Sequence, residues 1–160
     1  MRLVVAAIGR AKNAPEAALV DDYAARIRAA GRAVGFSDFA IIESEAPKGL
    51  DGPARRTRES ALLAAAIPDR ARRIVLDERG KPLASADFAA LLGRWRDQGA
   101  PAAAFLIGGA DGHDPSLREK ADLVLSFGPA TWPHMLVRAM LCEQIYRAMT
   151  ILSGHPYHRG

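Results

Sequence analysis

The sequence predicts an α/β fold, with a mostly parallel sheet flanked by helices. Short apolar runs alternate with segments of helical periodicity along the 160 residues, which is typical of parallel strands joined by helical crossovers. The run from Ala103 to Ile107 is apolar throughout, as expected of a central strand covered on both faces. A chain of this length can bury a substantial core, so we expect one domain over residues 1–160.

The N-terminal third predicts a strand, a helix and a second strand. The first strand is the apolar run from Leu3 to Ile8, which stops at Gly9. Pro15 suits the first turn of the helix, whose apolar residues recur at helical spacing as far as Ile27. Phe39 to Ile42 is predicted to form the second strand.

A loop and an arginine-bearing helix follow. Pro47 to Pro53 is the most loop-like segment, and Ala54 to Ile67 predicts a helix. Arg55, Arg56 and Arg58 lie on its first turns, where cations oppose the helix dipole rather than complement it. This placement favours contact with phosphate, whereas a solvated face is the commoner explanation of a charge run. The sequence leaves both interpretations open.

The middle of the chain predicts a third strand and a third helix. Arg73 to Leu76 is predicted to be a strand that ends at Asp77, before a turn that contains a glycine and a proline. Ser85 is predicted to cap a helix that runs to Gln98 and ends at Gly99. The fully apolar run described above is the fourth strand.

The C-terminal part predicts a short helix, a fifth strand and a long helix. The short helix is expected to begin near Asp114 and Pro115, and Leu123 to Leu125 is the strand. The long helix continues from Pro133 to about Ser153, and its apolar positions cover more than one stripe. Burial on two sides in a small protein predicts a second subunit, with a wholly intramolecular helix as the alternative.

Composition excludes several classes of protein. No apolar stretch approaches the ~20 residues of a membrane span, and Leu3 to Ile8 is too short for a signal-peptide core, so we expect a cytoplasmic protein with no membrane partner. The single cysteine, Cys142, excludes an internal disulfide and is expected to pack in the core. A net charge of +4, with arginine far outnumbering lysine, is compatible with nucleic-acid binding. A coding bias toward alanine and arginine is the alternative.

Turns at the carboxyl ends of three predicted strands are candidate ligand sites, because ligands bind there in open parallel sheets. These turns are Leu76-Asp77, Gly108 to Gly112 and Phe127 to Trp132. Glycine permits positive φ and close approach of a ligand to the backbone. The glycines lack the G-x-G-x-x-G spacing of a dinucleotide site, so simple turns are the plain alternative.

No pattern of histidines, cysteines or carboxylates predicts a metal site or a catalytic nucleophile. His155 and His158 are the only close pair of histidines, and H-x-x-H without further ligands is a poor zinc signal. The tail from Gly154 to Arg159 is unusual for a terminus, because it carries two histidines, a tyrosine and an arginine. Such groups can stack on a base and bind phosphate, with an ordinary polar tail as the alternative.

Several segments together resemble a known family. They are Leu76-Asp77 with Gly80-Lys81, Phe105 to Gly112, Thr131 to His134 with Leu136 to Arg138, Glu143 to Ala148, and His155 to Arg159. In these segments and their order the chain resembles the ribosomal RNA large subunit methyltransferase H family of the SPOUT superfamily, over essentially its whole length. The C-terminal combination is specific, whereas the N-terminal third resembles the family only in pattern.

The resemblance implies methylation of a pseudouridine at N3 in the 23S rRNA of assembled ribosomes, with S-adenosylmethionine as methyl donor. It also implies a homodimer and a C-terminal trefoil knot. Carried over by position, the donor site consists of Leu76, Gly108, Phe127, Gly128, Pro129, Ala130, Thr131 and Trp132. Phe127 to Pro129 replaces a serine-rich stretch of many relatives, and His113 stands where leucine is common, so main-chain contacts are expected to dominate.

The donor carries an activated methyl group, so the protein must align an in-line attack rather than form a covalent intermediate. The groups expected to assist deprotonation of the target base, or to stabilise the charge that develops on it, are His134, Arg138, Tyr157, His158 and Arg159. In the expected dimer, the tail of one subunit completes the pocket of the other.

Other functions stay open from the sequence. One is a SPOUT methyltransferase that acts on tRNA, and another is a ribosome-binding factor or nucleotide-binding module without catalysis. An NAD-linked oxidoreductase is disfavoured, because the dinucleotide fingerprint is missing around Gly108.

Overall fold

The computed structural model describes residues 1–158 and contains a five-stranded sheet in which every strand pair is parallel. The strands are β1 (Arg2–Ile8), β2 (Asp38–Ser44), β3 (Arg72–Pro82), β4 (Ala102–Ile107) and β5 (Leu123–Ser126). Their order across the sheet is β2-β1-β4-β3-β5, and every residue of the middle strand β4 is buried. The predicted α/β class, the parallel sheet and the central place of the apolar run are confirmed.

Helices join these strands and follow the last one. They are α1 (Glu16–Gly31), α2 (Gly52–Ala65), α3 (Ser85–Asp97), α4 (Pro115–Glu119) and α5 (His134–Ser153), with a short 3-10 turn at Arg32–Val34. Every predicted helix is present, with bounds that differ from the predicted ones by a few residues at most. Within residues 1–158 no helix combines the length and the apolar character needed to cross a membrane.

The helices cover both faces of the sheet. On one face α1, α3 and α5 pack together, and Ile27, Leu92 and Ile145 lie in the larger core cluster with alternate residues of the strands. On the other face Leu63 of α2 and Leu117 of α4 pack in a smaller cluster. Because both faces are covered, the inner strands β1 and β4 are apolar along almost their whole length rather than alternating.

The long helix α5 lies at the centre of the larger cluster. The predicted packing role of Cys142 is confirmed, since its side chain is fully buried and burial raises the pKa of its thiol to about 12. Leu136 and Met140, on the other side of the first turns of α5, are only half-buried. Part of the apolar surface of α5 is therefore not covered by the chain itself.

The predicted end of the third strand at Asp77 was wrong. Residues beyond Asp77 return to the sheet, and both Leu76 and Lys81 pair with Leu125 of β5, so residues 77–80 form a bulge. The return requires glycine at position 80, because a Cβ there would lie 2.7 Å from backbone atoms of β5. The bulge places its side chains at the carboxyl edge of the sheet.

The predicted helix cap at Ser85 was also wrong. The residue that precedes α3 is Ala84, and no side chain caps the helix. The Ser85 hydroxyl instead donates a hydrogen bond of 2.8 Å to Gln144 Oε1 on α5. A tertiary contact has replaced the local one, which sequence periodicity cannot anticipate.

Candidate active site

A cavity of about 710 Å³ opens at the carboxyl ends of β3, β4 and β5. Its wall is formed by the turns that follow these strands and by the first turn of α5. The predicted donor-site residues that line it are Leu76, Gly108, Phe127, Gly128, Ala130, Thr131 and Trp132, whereas Pro129 is not among the lining residues. The structure thus brings together the strand-end turns that the sequence analysis singled out, in a cavity of the size that takes small organic ligands.

The turn after β4 is packed against a buried histidine. His113 is only 3% exposed, and its Nε2 lies 3.0 Å from the carbonyl oxygen of Leu76 and 3.2 Å from the amide nitrogen of Gly108. Burial lowers the pKa of His113, so its ring is neutral. One nitrogen of a neutral ring cannot donate to the carbonyl and accept from the amide at the same time, so His113 hydrogen-bonds only one of these two backbone groups.

The glycines of this turn serve close packing more than unusual backbone angles. Only Gly112, with φ of +74°, has the positive φ that the sequence analysis allowed for Gly108, Gly109 and Gly112. A Cβ on Gly108 would lie 3.1 Å from the His113 ring. The turn therefore depends on the absence of side chains at 108 and 109.

The bulge of β3 contributes a carboxylate to the cavity wall. Asp77 accepts hydrogen bonds from the backbone amide of Arg79 at 2.9 Å and from Arg118 at 3.0 Å. Burial alone would raise the pKa of Asp77, but these two hydrogen bonds outweigh it and hold the pKa below its usual range. Asp77 is therefore an anion beside the cavity at neutral pH.

His134 and Arg138 lie on successive turns of α5 but in different surroundings. His134 lines the cavity, and burial together with the nearby Arg138 cation lowers the pKa of its imidazole. Arg138 is completely buried, where it donates to the carbonyl oxygen of Gly9 at 2.9 Å and pairs with Glu43. The structure places His134 in the cavity wall and Arg138 beneath the turn that follows β1.

The C-terminal tail folds back on its own chain, away from this wall. The Tyr157 hydroxyl lies 3.1 Å from Glu143 Oε1 and 3.4 Å from the Tyr23 hydroxyl, and the Arg147 guanidinium stands 4.9 Å from the Tyr157 ring centroid. His158 Nδ1 is 3.5 Å from Arg147. The hydrogen bond with Tyr23 and burial raise the pKa of Tyr157, so the phenol is protonated at neutral pH.

Within one chain, the tail and the cavity are therefore separate. Neither Tyr157 nor His158 lines the cavity. Arg159, the last of the predicted catalytic residues, lies outside the described residues.

An apolar groove of about 620 Å³ runs between α1 and α5. Leu19, which is 46% exposed, lines it together with Met140 and Glu143. Phe127 and Gly128 line both the groove and the cavity, so the two are adjacent at the turn after β5.

Three cations of the cavity wall were missed as site residues. They are Arg56 of α2, Arg79 of the β3 bulge and Arg118 of α4. The unusual position of Arg56 on the first turns of its helix was visible in the sequence, but the strand end that it faces was not. Among the described residues no group of three metal-ligating side chains is placed to hold a metal ion.

Comparison with known proteins places the chain in a family. A family model described as predicted SPOUT methyltransferase matches residues 1–158. The ribosomal RNA large subunit methyltransferase H of Rhodopseudomonas palustris strain HaA2 is 54% identical over 160 residues, which is the full length of both proteins. The protein of the same name from Bradyrhizobium diazoefficiens is 52% identical, again over the full length of both.

A solved structure gives only a weak likeness. The probable methylase family protein from Haemophilus influenzae Rd KW20 is 11% identical, with a TM-score of 0.49 over 99% of this chain and 70% of that chain. The family model and the full-length relatives suffice: the chain belongs to the SPOUT methyltransferase family, among the ribosomal RNA large subunit methyltransferase H proteins.

Proposed function

We propose that the chain transfers a methyl group from S-adenosylmethionine to N3 of a pseudouridine in the 23S rRNA of assembled ribosomes. The observation that carries this proposal is the cavity at the ends of β3, β4 and β5, which is lined by almost all the residues expected to bind the donor. The names of relatives that are 52–55% identical over the full chain support rRNA as the substrate.

The residues present fit this donor. When bound, S-adenosylmethionine supplies a methyl group that is already activated on a sulfonium. The buried apolar side chains of Leu76, Ile107 and Leu125 in the wall suit an aromatic ring. The main chain of the turn from Gly108 to Gly112, which lines the cavity, can hydrogen-bond its polar edge.

We further propose that His134 accepts the proton of the target base. The imide nitrogen of pseudouridine attacks well only after it loses its proton, and a neutral imidazole in the cavity wall can take it. The lowered pKa of His134 keeps the ring neutral at neutral pH. Arg138 acts through its neighbours, because it is buried and supports the turn at Gly9, against which the His134 ring packs.

The predicted dimer would explain why the tail and the cavity are separate within one chain. We propose that a second copy covers the groove between α1 and α5, and that its tail residues Tyr157, His158 and Arg159 reach the cavity across the shared turn after β5. The C-terminal trefoil knot remains a prediction from the family. A protein that modifies ribosomes would work in the cytoplasm, where ribosomes are.

Mass mapping of 23S rRNA from cells that lack the protein tests the function. We expect one pseudouridine to lose its methyl group, and the wild-type gene to restore it. In parallel, the purified protein should methylate ribosomes and not tRNA. Unchanged 23S rRNA in the deletion strain, or transfer to tRNA alone, would refute the proposal.

A further inference from the structure

Helix α2 holds the turn between β4 and α4 through a row of polar contacts. This inference rests on the proposed function, because that turn forms one wall of the proposed donor site. The contacts are Arg55 to Asp111 at 3.4 Å, Thr57 Oγ1 to Asp114 Oδ2 at 2.9 Å, the Gly109 amide to Glu59 Oε2 at 3.3 Å, and the Asp114 amide to Ser60 Oγ at 3.1 Å. The turn is therefore tied to α2 along most of its length.

Glu59 is the member of this row that the packing constrains most. It is only 2% exposed, although it carries a carboxylate. A Cβ on Gly109 would lie 2.8 and 2.9 Å from its two carboxylate oxygens, so the carboxylate is pressed directly against the backbone of the turn. Burying such a group costs free energy unless it is hydrogen-bonded, and its hydrogen bond comes from the Gly109 amide.

The electrostatics around Glu59 agree with this geometry. Burial raises the pKa of Glu59, while the hydrogen bond from Gly109 and the Arg55 cation oppose that rise. The nearby Asp111 carboxylate repels the ionised form of Glu59 and so also raises the pKa of Glu59. A buried carboxylate in contact with backbone is a costly arrangement, which suits a residue that fixes a functional turn.

Glu59 does not itself line the cavity, whereas Gly108 to His113 do. It therefore cannot touch the donor, and any effect it has must pass through the turn. Gly108, which lines the cavity, is the neighbour of Gly109, whose amide Glu59 holds.

We propose that Glu59 is a positioning residue for the methyl donor, which fixes the Gly108-Gly109 turn in the shape that binds it. Loss of the hydrogen bond allows the turn to sample other conformations. Donor binding must then order the turn, and the free energy that this costs weakens binding. Donor affinity falls, whereas the rate of methyl transfer in the fully occupied enzyme changes little. The carboxylate acts as a hydrogen-bond acceptor, so an amide of the same shape can replace it.

The experiment compares Glu59→Ala and Glu59→Gln with the wild type on full-length protein. Donor affinity is measured by calorimetry with S-adenosylmethionine, and KM for the donor and kcat are measured with ribosomes. For Glu59→Ala we expect the Kd and KM for the donor to rise about tenfold, as for loss of a buried hydrogen bond, with kcat within about threefold of the wild type. Glu59→Gln should recover most of the affinity.

Leu63→Ala is the matched control for a general weakening of α2. Leu63 is 1% exposed on the same helix and packs in the smaller core cluster, not on the turn. We expect it to lower the melting temperature and to leave the donor KM unchanged.

A second variant keeps the proposal testable if Glu59→Ala does not fold. Gly109→Ala adds a Cβ that must displace the Glu59 carboxylate, so it should also raise the donor KM. Wild-type donor affinity in either variant would overturn the proposal, as would a Glu59→Gln enzyme as impaired as Glu59→Ala, or a donor KM that rises as much in Leu63→Ala. Failure of the wild type to bind S-adenosylmethionine would instead overturn the proposed function, and this inference with it.

Discussion

The neutral imidazole of His134 is expected to set the acidic limb of the pH-rate profile. Burial and the Arg138 cation lower its pKa, so the form that can accept a proton predominates at pH 7 and persists to a lower pH than in an ordinary histidine. Changing His134 to Gln should lower kcat about 100-fold or more, the usual contribution of a general base, with the donor Kd unchanged. Single-turnover rates between pH 5 and about 8 measure this. If the acidic limb of the pH-rate profile is unchanged in the variant, a group other than His134 causes that limb.

Single residues show where sequence reasoning succeeds and where it stops. Leu76 and Gly108 were identifiable because each lies at the end of an apolar run in the sequence, and such runs of a parallel sheet end at one edge. Glu59 was not identifiable, and Arg138 was named only through the family resemblance, since charged residues are normally exposed and only tertiary packing shows that these two are buried. The donor-site and catalytic assignments themselves stay predictions.

The return of β3 to the sheet depends on one glycine. In Gly80→Ala the added methyl would meet the backbone of β5, which cannot move aside as a flexible side chain can. We expect a loss of about 1–3 kcal/mol in the free energy of unfolding, as for other overpacked sites, measured by urea denaturation. Gly31→Ala is the control, because a Cβ there meets only ordinary contacts and its φ is helical. Equal stability of the two variants would contradict this explanation of the bulge.

The arginines at the start of α2 are expected to contact rRNA phosphates. Arg56 lines the cavity and Arg58 is exposed on the same helix. Each phosphate contact adds about 0.7–0.9 to the slope of log K against log salt, so Arg56→Gln and Arg58→Gln should each reduce the salt dependence of the ribosome KM by about that amount. Arg94→Gln, an exposed position on α3 across the sheet, is the control. An unaltered salt dependence of the ribosome KM in both variants would indicate that these arginines are only solvated and do not contact phosphates.

The existence and type of the elements could be predicted, but some of their connections could not. Apolar runs and helical periodicity are local signals, so all five strands and the long α5 were found, with bounds close to the true ones except at the end of β3. The bulge at 77–80 and the hydroxyl contact of Ser85 with α5 arise from neighbours far away in the sequence. Local preferences carry no information about such partners.

At the level of the whole molecule, the tail is expected to act across a dimer. Removal of Tyr157 onward should abolish methyl transfer while leaving donor binding largely intact. Mixing this truncated protein with His134→Ala, which keeps its tail, should restore activity, because mixed dimers pair an intact cavity with an intact tail. Random pairing would return about a quarter of the wild-type activity per protein. No restoration on mixing, confirmed by evidence that subunits exchange, would place the tail and its cavity in the same chain.

The overall topology was the part least accessible to the sequence. Parallel pairing followed from the alternation of strands and helices, but the order β2-β1-β4-β3-β5 did not, because apolar strands offer many equivalent neighbours. The trefoil knot cannot be inferred from periodicity at all, since general rules of chain topology disfavour knots. It rests on the family alone.

The most direct test of the account is a crystal structure with S-adenosylmethionine bound. The account predicts the donor between the turn at Gly108 and the turn from Phe127 to Trp132, with its methyl group facing the opening of the cavity and within reach of His134. A donor bound elsewhere, such as in the groove between α1 and α5, would contradict it.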